Sequence, residues 1–137
     1  MSTDLRATQE AIKDLNKNYH RPGIPPLKIS DEYRLLRDYP KHYWPGQGQG
    51  KTSGGVYLFF DDENNLLYVG KARNLAVRLS QYFRQDTDGK AEPTSEKSEG
   101  TASVRTIALP KGHEFEAGAI EMYLVERLDP PRNKKRG

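Results

Sequence analysis

The sequence predicts a mixed α/β fold, of the α+β type, in which helices flank a small, central, three-stranded antiparallel sheet. Two short runs rich in aromatic and β-branched residues, GVYLFF at 55–60 and LLYVG at 66–70, are separated by the polar stretch DDENN. A third run, SVRTIAL, follows at 103–109, and apolar residues with helical spacing precede, separate and follow these runs. At 137 residues, the chain is long enough to bury a core of its own.

The first 50 residues are predicted to form a helical N-terminal extension. Residues 3–18 carry apolar side chains at helical spacing, with Ser2 or Thr3 in the N-cap position, and the prolines of HRPGIPP end this helix. Ser30 is expected to cap a second, short helix, DEYRLLRDY at 31–39.

Aromatic and imidazole side chains cluster at the end of this extension: Tyr39, His42, Tyr43 and Trp44. They could stack on nucleic-acid bases, but packing of the extension over the sheet is the favoured interpretation. The following segment, GQGQGKT at 46–52, looks like a phosphate-binding loop. Its first required glycine, however, is replaced by Pro45, and a strand-like run rather than a helix follows it. A flexible linker is therefore predicted there.

The turn of the predicted hairpin decides which side chains of its two strands share a face. A four-residue turn at Asp61–Asn64 places Tyr57 directly opposite Tyr68, with Cβ atoms roughly 5 Å apart. A slip of one residue in the register would move the two tyrosines to opposite faces. Both faces of the first strand are apolar, which predicts a central position in the sheet.

A helix is predicted over 75–83, with Asn74 as its N-cap. Arg78 and Tyr82 lie four residues apart in this helix and are therefore neighbours on its surface.

The last helix is predicted over 114–128, and it carries a carboxylate on its apolar side. At 100° per residue, Glu121 falls within the stripe formed by Ile120, Leu124 and Leu128. A carboxylate in this position has to be ion-paired, protonated or bound to a metal ion. From the helical wheel alone, an ion pair is favoured over a metal ligand, and both remain open.

Charge is unevenly distributed along the chain. Lys and Arg number 22 against 19 Asp and Glu, yet residues 85–100 contain five acidic and only two basic side chains. This polar segment is predicted to be a mobile loop. The basic excess lies elsewhere and is highest in the tail, which is equally typical of a protein with a polyanionic partner and of a solvated surface.

Other classes of protein are disfavoured by what the sequence lacks. The absence of cysteine excludes disulfides and thiolate metal sites. No stretch approaches the roughly 18 apolar residues of a membrane span, and the N-terminus has no apolar core of a secretory signal. A cytoplasmic protein is the default expectation.

With these residues identified, the chain resembles the GIY-YIG nucleases, especially the N-terminal nuclease domain of the excision-repair protein UvrC. The similarity rests on GVY at 55–57, YVGKARNLAVRLSQYF at 68–83 and EAGAIEMYLVERLDPPRN at 116–133. Matched motif by motif, the active-site positions of the family fall on seven residues: Tyr57, Tyr68, Lys71, Arg78, Tyr82, Glu121 and Asn133. The resemblance implies a nuclease domain over 51–137, with the helical extension over 1–50 as part of one compact unit.

The resemblance also implies a chemistry, that of a Mg²⁺-dependent DNA endonuclease in which Mn²⁺ is expected to substitute. It makes Glu121 the metal ligand and Arg78 the residue that stabilises the transition state. Tyr57 becomes the general base, with a pKa that Lys71 and the metal are expected to lower, and Tyr68 positions the water or the phosphate.

Several basic residues are expected to contact DNA: Lys71, Arg73, Arg78, Arg84, Arg132, Lys134 and Lys135. A repair-like nickase and a restriction or mobile-element nuclease both remain open, as do a monomer and a homodimer. A DNA-binding module without catalysis is disfavoured, because Tyr57, Arg78 and Glu121 are all present.

Overall fold

The computed structural model describes residues 5–19, 23, 25–45 and 53–133. The glycine-rich segment at 46–52, the predicted N-cap at Ser2 or Thr3, and Lys134 and Lys135 lie outside this part of the chain. Within it, no helix has the length and apolar character needed to span a lipid bilayer.

The elements follow one another as α1 (Leu5–Asn18), β1 (Tyr33–Arg34), α2 (Leu35–Asp38), β2 (Gly55–Phe60), β3 (Leu66–Ala72), α3 (Leu75–Tyr82), β4 (Phe83–Gln85), β5 (Ala91–Pro93), β6 (Ser103–Ala108) and α4 (Ala117–Leu128), with a 3-10 turn at Glu114–Glu116 before α4. The main sheet is antiparallel with strand order β1-β6-β2-β3, and β4 and β5 form a separate hairpin. The predicted mixed fold and the central position of β2 are confirmed, but the sheet has four strands rather than three.

Two apolar layers cover the two faces of the sheet. Val56, Leu58 and Phe60 of β2 point to the layer formed with α1 and α4. Tyr57 and Phe59 alternate with them and point to the layer formed with α3 and the aromatic end of the N-terminal segment. All six residues of β2 are buried, which explains why this strand has no polar face.

The fourth strand arises where a helix was predicted, so the predicted helix over 31–39 is wrong. Tyr33–Arg34 pair with β6, and only Leu35–Asp38 are helical. Ser30 does not cap a helix either, because its N–H donates to the carbonyl of Thr106 at 2.8 Å and its hydroxyl accepts from the N–H of Thr106 at 2.9 Å. The unpaired backbone of β6 offers these residues more hydrogen bonds than an isolated short helix does.

The polar segment 85–100 is not an irregular loop, which corrects a second prediction. Its first half closes the β4–β5 hairpin through a turn in which the side chain of Asp86 accepts from the N–H groups of Asp88 and Lys90 at 2.9 and 2.8 Å. Its second half folds into a turn around Ser98, which is fully buried. Polar side chains that bond to nearby backbone order this segment without an apolar core of its own.

The register of β2 and β3 also differs from the prediction. Tyr57 lies opposite Gly70 and Phe59 lies opposite Tyr68, because a bulge interrupts the ladder between Phe59 and Phe60. The offset from the predicted pairing is two residues, so Tyr57 and Tyr68 still point to the same face of the sheet.

The aromatic end of the N-terminal segment packs over the sheet, as favoured from the sequence. The indole of Trp44 is 8% exposed, lies 4.7 Å from the ring of Tyr33 and 5.8 Å from that of Phe83, and donates to the hydroxyl of Ser80 at 3.1 Å. The neighbouring Tyr43 is 65% exposed.

We therefore predict that Trp44→Ala lowers the free energy of unfolding by about 3 kcal/mol or more, because it leaves a cavity against the sheet. Tyr43→Ala removes a side chain of similar size and should change stability by less than about 0.5 kcal/mol. Urea denaturation followed by circular dichroism measures both. Equal effects of the two substitutions would contradict the packing described here.

Candidate active site

Three tyrosines from three elements meet on the α3 side of the sheet. Tyr57 lies on β2, Tyr68 on β3 and Tyr82 in the last turn of α3, with ring centroids 5.6–6.3 Å apart in each pair. The hydroxyl of Tyr57 donates to that of Tyr82 at 3.2 Å. The position of Tyr82 depends on where α3 begins, and the side chain of Asn74 caps that helix as predicted by accepting from the N–H of Val77 at 3.1 Å.

The ring of Tyr57 lies directly on the backbone of Gly70. A Cβ atom at position 70 would come within 2.2 Å of Cζ and 2.3 Å of the hydroxyl oxygen of Tyr57. Because Gly70 is the residue opposite Tyr57 in the ladder, only a glycine leaves room for the ring on this face of the sheet.

The pKa of Tyr57 is raised, whereas the sequence led us to expect a lowered value. Burial is the largest cause, followed by the hydrogen bond to Tyr82, and the charge of Arg78 opposes them only weakly. Burial likewise raises the pKa of Tyr68. Lys71 does not lower the pKa of Tyr57, because it pairs with Val56 in the ladder and so points to the other face of the sheet.

Glu121 lies on α4, is half-buried, and is close enough to Tyr68 of β3 for its charge to contribute to the raised pKa of that tyrosine. Burial raises the pKa of this carboxyl, while the charges of Lys71 and Lys97 act in the opposite direction. In the part of the chain that the structure describes, Glu121 forms no ion pair, so the salt bridge favoured from the helical wheel is not found there. Gly118, one turn earlier, faces the same lysine, and a Cβ at this position would lie 3.6 Å from the Lys71 ammonium.

Asn133 holds the outer edge of the sheet. Its side-chain carbonyl accepts from the N–H of Val69 and its amide donates to the carbonyl of Val69, both at 2.8 Å. The N–H of Arg132 adds a third bond to this edge, to the carbonyl of Leu67 at 2.9 Å. The backbone on both sides of Tyr68 is thus fixed by the segment that follows α4, and Asn133 contributes to the site by positioning this strand.

The cations predicted to contact DNA fall into two groups. Arg78 is exposed and lines two cavities, one of about 470 Å³ that it shares with Tyr82 and one of about 310 Å³ that it shares with Lys71 and Arg73. Arg78 thus lies between the tyrosine side of the site and the second cavity, which Lys71 and Arg73 line.

Two other predicted cations have partners within the protein. The guanidinium of Arg84 pairs with the carboxylate of Glu92 at 3.0 Å across the β4–β5 hairpin. That of Arg132 donates to the backbone carbonyls of Glu96 and Glu99.

Lys97 is a site residue that the sequence reasoning missed. Its ammonium lies 5.4 Å from the ring centroid of Tyr68, and its side chain lines the larger cavity together with Arg78 and Tyr82. It lies outside the three matched motifs, in the segment interpreted as a mobile loop. The only sign of it in the sequence is that it is one of two cations in a strongly acidic stretch.

The comparison with known sequences agrees with this geometry. The profile of the UvrC-like GIY-YIG domain matches residues 53–134, which is more than half of the chain. The chain belongs to the UvrC-like GIY-YIG family. It is therefore a nuclease, a hydrolase of phosphodiester bonds.

The similarity to individual proteins of this family is substantial but local. The UvrABC system protein C of Pseudomonas syringae pv. syringae is 42% identical over 91 residues, which cover 65% of this chain and 14% of that protein. The UvrABC system protein C of Corynebacterium aurimucosum is 38% identical over 94 residues, covering 69% of this chain and 13% of that protein. The matched part of this GIY-YIG chain thus spans only about one seventh of the length of these curated relatives.

We predict that Gly70→Ala reduces the rate of DNA cleavage at least about 100-fold, because the added methyl group displaces the ring of Tyr57. Gly118→Ala adds the same methyl group in ordinary contact with Lys71 and should raise stability by up to about 1 kcal/mol while keeping most of the activity. Initial cleavage rates and melting temperatures of both variants test this. Wild-type activity of Gly70→Ala would show that the position of Tyr57 does not matter for the reaction.

Proposed function

We propose that this chain is a Mg²⁺-dependent DNA endonuclease that cuts one strand in a repair-like reaction. The observation that carries the proposal is the convergence of Tyr57, Tyr68 and Tyr82 with Arg78 and with a half-buried carboxylate, Glu121, near the outer strand of one sheet. The similarity to UvrABC system protein C supports a repair-related role over a restriction or mobile-element role.

The residues present fit a hard divalent cation. Glu121 supplies one carboxylate, and the described residues contain no cluster of three or more acidic or histidine side chains that could form an all-protein metal cage. Mg²⁺ suits such a site, because it keeps several waters and takes the remaining ligands from phosphate oxygens, and Mn²⁺ should replace it. The metal would neutralise charge on the phosphate and assist the leaving oxygen.

The protein's own residues then have distinct roles. Arg78, on the surface beside the tyrosines, donates to the phosphate and stabilises the charge of the transition state. Tyr57, in its ionised form, takes the proton of the attacking water and becomes the neutral phenol, whose hydroxyl donates to Tyr82 and is held in place by it. Tyr68 positions the water or the phosphate. The raised pKa of Tyr57 means that only a small fraction of molecules has it ionised at neutral pH.

The DNA path follows the exposed cations that form no ion pair within the described structure: Lys71, Arg73 and Arg78, of which Arg78 donates to the side-chain oxygen of Gln81 at 3.4 Å. Arg84 is ion-paired with Glu92, and Arg132 is held by backbone carbonyls. One set of catalytic residues per chain cuts one strand, so a double-strand break would need two chains or two successive events. The N-terminal extension over 1–50 and the nuclease domain over 51–137 would act as one unit, since β1 completes the sheet that carries the tyrosines.

The central test is the nicking of supercoiled plasmid. The wild type should produce open circles with Mg²⁺ or Mn²⁺ and none with EDTA. Glu121→Gln and Glu121→Ala should lose at least about 100-fold in rate, because a metal contributes several kcal/mol of charge stabilisation. Glu126→Gln makes the same charge change at an exposed position of α4 and serves as the control.

Two results would count against the proposal. Equal nicking by wild type and Glu121→Gln would remove the metal-ligand role. Discrete linear fragments at low enzyme concentration would indicate a paired, sequence-specific cutter instead of a nickase.

The base role of Tyr57 predicts the pH dependence of the reaction. Below its pKa, the ionised fraction of a phenol rises about tenfold per pH unit, and the ordinary tyrosine pKa of about 10 is raised here by burial. The rate kcat/KM should therefore increase from pH 6.5 to 9.5 without reaching a plateau, and Tyr57→Phe should remove most of the activity and the slope. A steep profile that persists in Tyr57→Phe would transfer the base role to Tyr68 or to metal-bound hydroxide.

A further inference from the structure

Lys97 is the one cation that the turn between β5 and β6 places on the wall of the active-site cavity. Its side chain and that of Arg78 line the same cavity of about 470 Å³, together with Tyr82 and Glu96. The ammonium lies above the ring of Tyr68 at 5.4 Å from its centroid. Lys97 and Arg78 thus line one cavity, whereas Lys71 and Arg73 line a second cavity next to Arg78.

The backbone on both sides of Lys97 is held in place. Before it, the N–H and hydroxyl of Thr94 donate to the carbonyls of Tyr82 and Gln81 at 2.9 and 2.7 Å. After it, the buried hydroxyl of Ser98 donates to the carbonyl of Ser95 at 3.2 Å. These bonds attach the turn to the end of α3, so the position of Lys97 is fixed relative to Tyr82.

Arg132 adds a second attachment from the other side of the site. Its guanidinium donates to the backbone carbonyls of Glu96 and Glu99, which flank Lys97 in the chain. The next residue, Asn133, holds the edge of β3. The position of Lys97 is thus tied to the same segment that fixes Tyr68.

The charge of Lys97 has no ion-pair partner within the described residues. Its contact with the ring of Tyr68 is worth only about 0.5–1 kcal/mol at an exposed position, and its charge acts on Glu121 without an ion pair between them, so the ammonium can still bind an anion. The surrounding stretch is acidic: Glu92 is paired with Arg84 and the side chain of Asp86 closes the hairpin turn, whereas Glu96 lines the same cavity as Lys97. An anion that enters the cavity would meet Lys97 on one wall and Arg78 on another.

We propose that Lys97 binds a backbone phosphate of the DNA strand next to the phosphate held by Arg78, and is thus a substrate-binding residue of this nuclease. The inference rests on the proposed function. A lysine acts on phosphate as a point charge and does not read base edges, so the contact adds affinity and register but no sequence preference. Because a neighbouring phosphate does not change charge during the reaction, the contact should lower KM and leave kcat nearly unchanged.

The test compares Lys97→Gln, Lys97→Arg and Lys90→Gln. Lys90 is exposed in the turn of the β4–β5 hairpin, which precedes Lys97 in the chain, and does not line the cavity, so it provides the same change of charge away from the site. Binding of a labelled DNA duplex is measured in EDTA, where no cleavage is expected, at several salt concentrations. Nicking rates at several DNA concentrations give KM and kcat.

The expected result is specific to Lys97. Lys97→Gln should weaken binding about tenfold at low salt and lower the slope of log Kd against log salt by about 0.9, the value for one lost phosphate contact to duplex DNA. KM should rise by a similar factor with kcat within about twofold of the wild type. Lys97→Arg should restore the slope, and Lys90→Gln should leave it unchanged.

Other results would overturn the proposal and separate it from the proposed function. An unchanged salt slope, or a loss confined to kcat, would mean that Lys97 acts on Tyr68 or Glu121 and not on DNA. A wild type that binds DNA with a Lys97-dependent slope but does not nick plasmid would refute the proposed function and leave the phosphate contact standing. A wild type that does not bind DNA would refute both.

Discussion

The bulge between β2 and β3 is the constraint on which the geometry of the site depends. Leu66 points toward α4, the next two residues, Leu67 and Tyr68, point toward α3, and Val69 points back toward α4. Without this extra residue, the pairing of Phe60 with Leu66 would continue and turn Tyr68 to the α4 side. The bulge therefore brings Tyr68 to the face that carries Tyr57, and it places the ring of Tyr57 over Gly70.

The rest of the structure holds the bulged strand from both sides. Toward its C-terminal end, the chain turns from Ala72 directly into α3, whose cap at Asn74 determines where Arg78 and Tyr82 emerge. Along its outer edge, Asn133 and the backbone of Arg132 bond to Val69 and Leu67, on either side of Tyr68. Edge strands are ordinarily free to slip, and here the segment after α4 removes that freedom. Asn133 and Val69, which are 64 positions apart in the sequence, thus together fix the position of Tyr68.

Much of the fold could be predicted because its signals are periodic or local. The apolar spacing of α1, the Asn cap of α3 and the two apolar faces of β2 each indicate one structure, and these elements are found as expected. The bulge carries no comparable signal, because Leu67 is as good a strand residue as its neighbours. The convergence of Tyr57 and Tyr68 was therefore predicted from a register that is itself wrong, and it holds because the true offset is an even number of residues.

The features that the sequence did not reveal depend on partners far along the chain. Tyr33 and Arg34 form a strand only because β6 has an unpaired edge beside them. A strand of two residues is too short to show an alternating pattern in the sequence, so it could not be predicted. Lys97 lies in a segment with the composition of a disordered linker, and its place at the site depends on Thr94 reaching α3 and on Arg132 reaching the turn. Composition describes what a segment can bury by itself, and it does not show what the rest of the protein can hold in place.

The burial that orients Tyr57 also raises its pKa, and in the proposed mechanism these two effects would impose an order on the reaction. Tyr57 is only 2% exposed and bonded to Tyr82, so in the free protein it is well positioned and neutral. A buried phenol loses its proton more readily only when positive charge comes close, and Arg78 alone offsets little of the burial. In the proposed mechanism, the additional charge would come from the divalent ion that Glu121 would hold. A base activated in this way would form only where a metal ion and DNA have already assembled, and DNA that passes the protein without entering the cavity would then meet a neutral Tyr57.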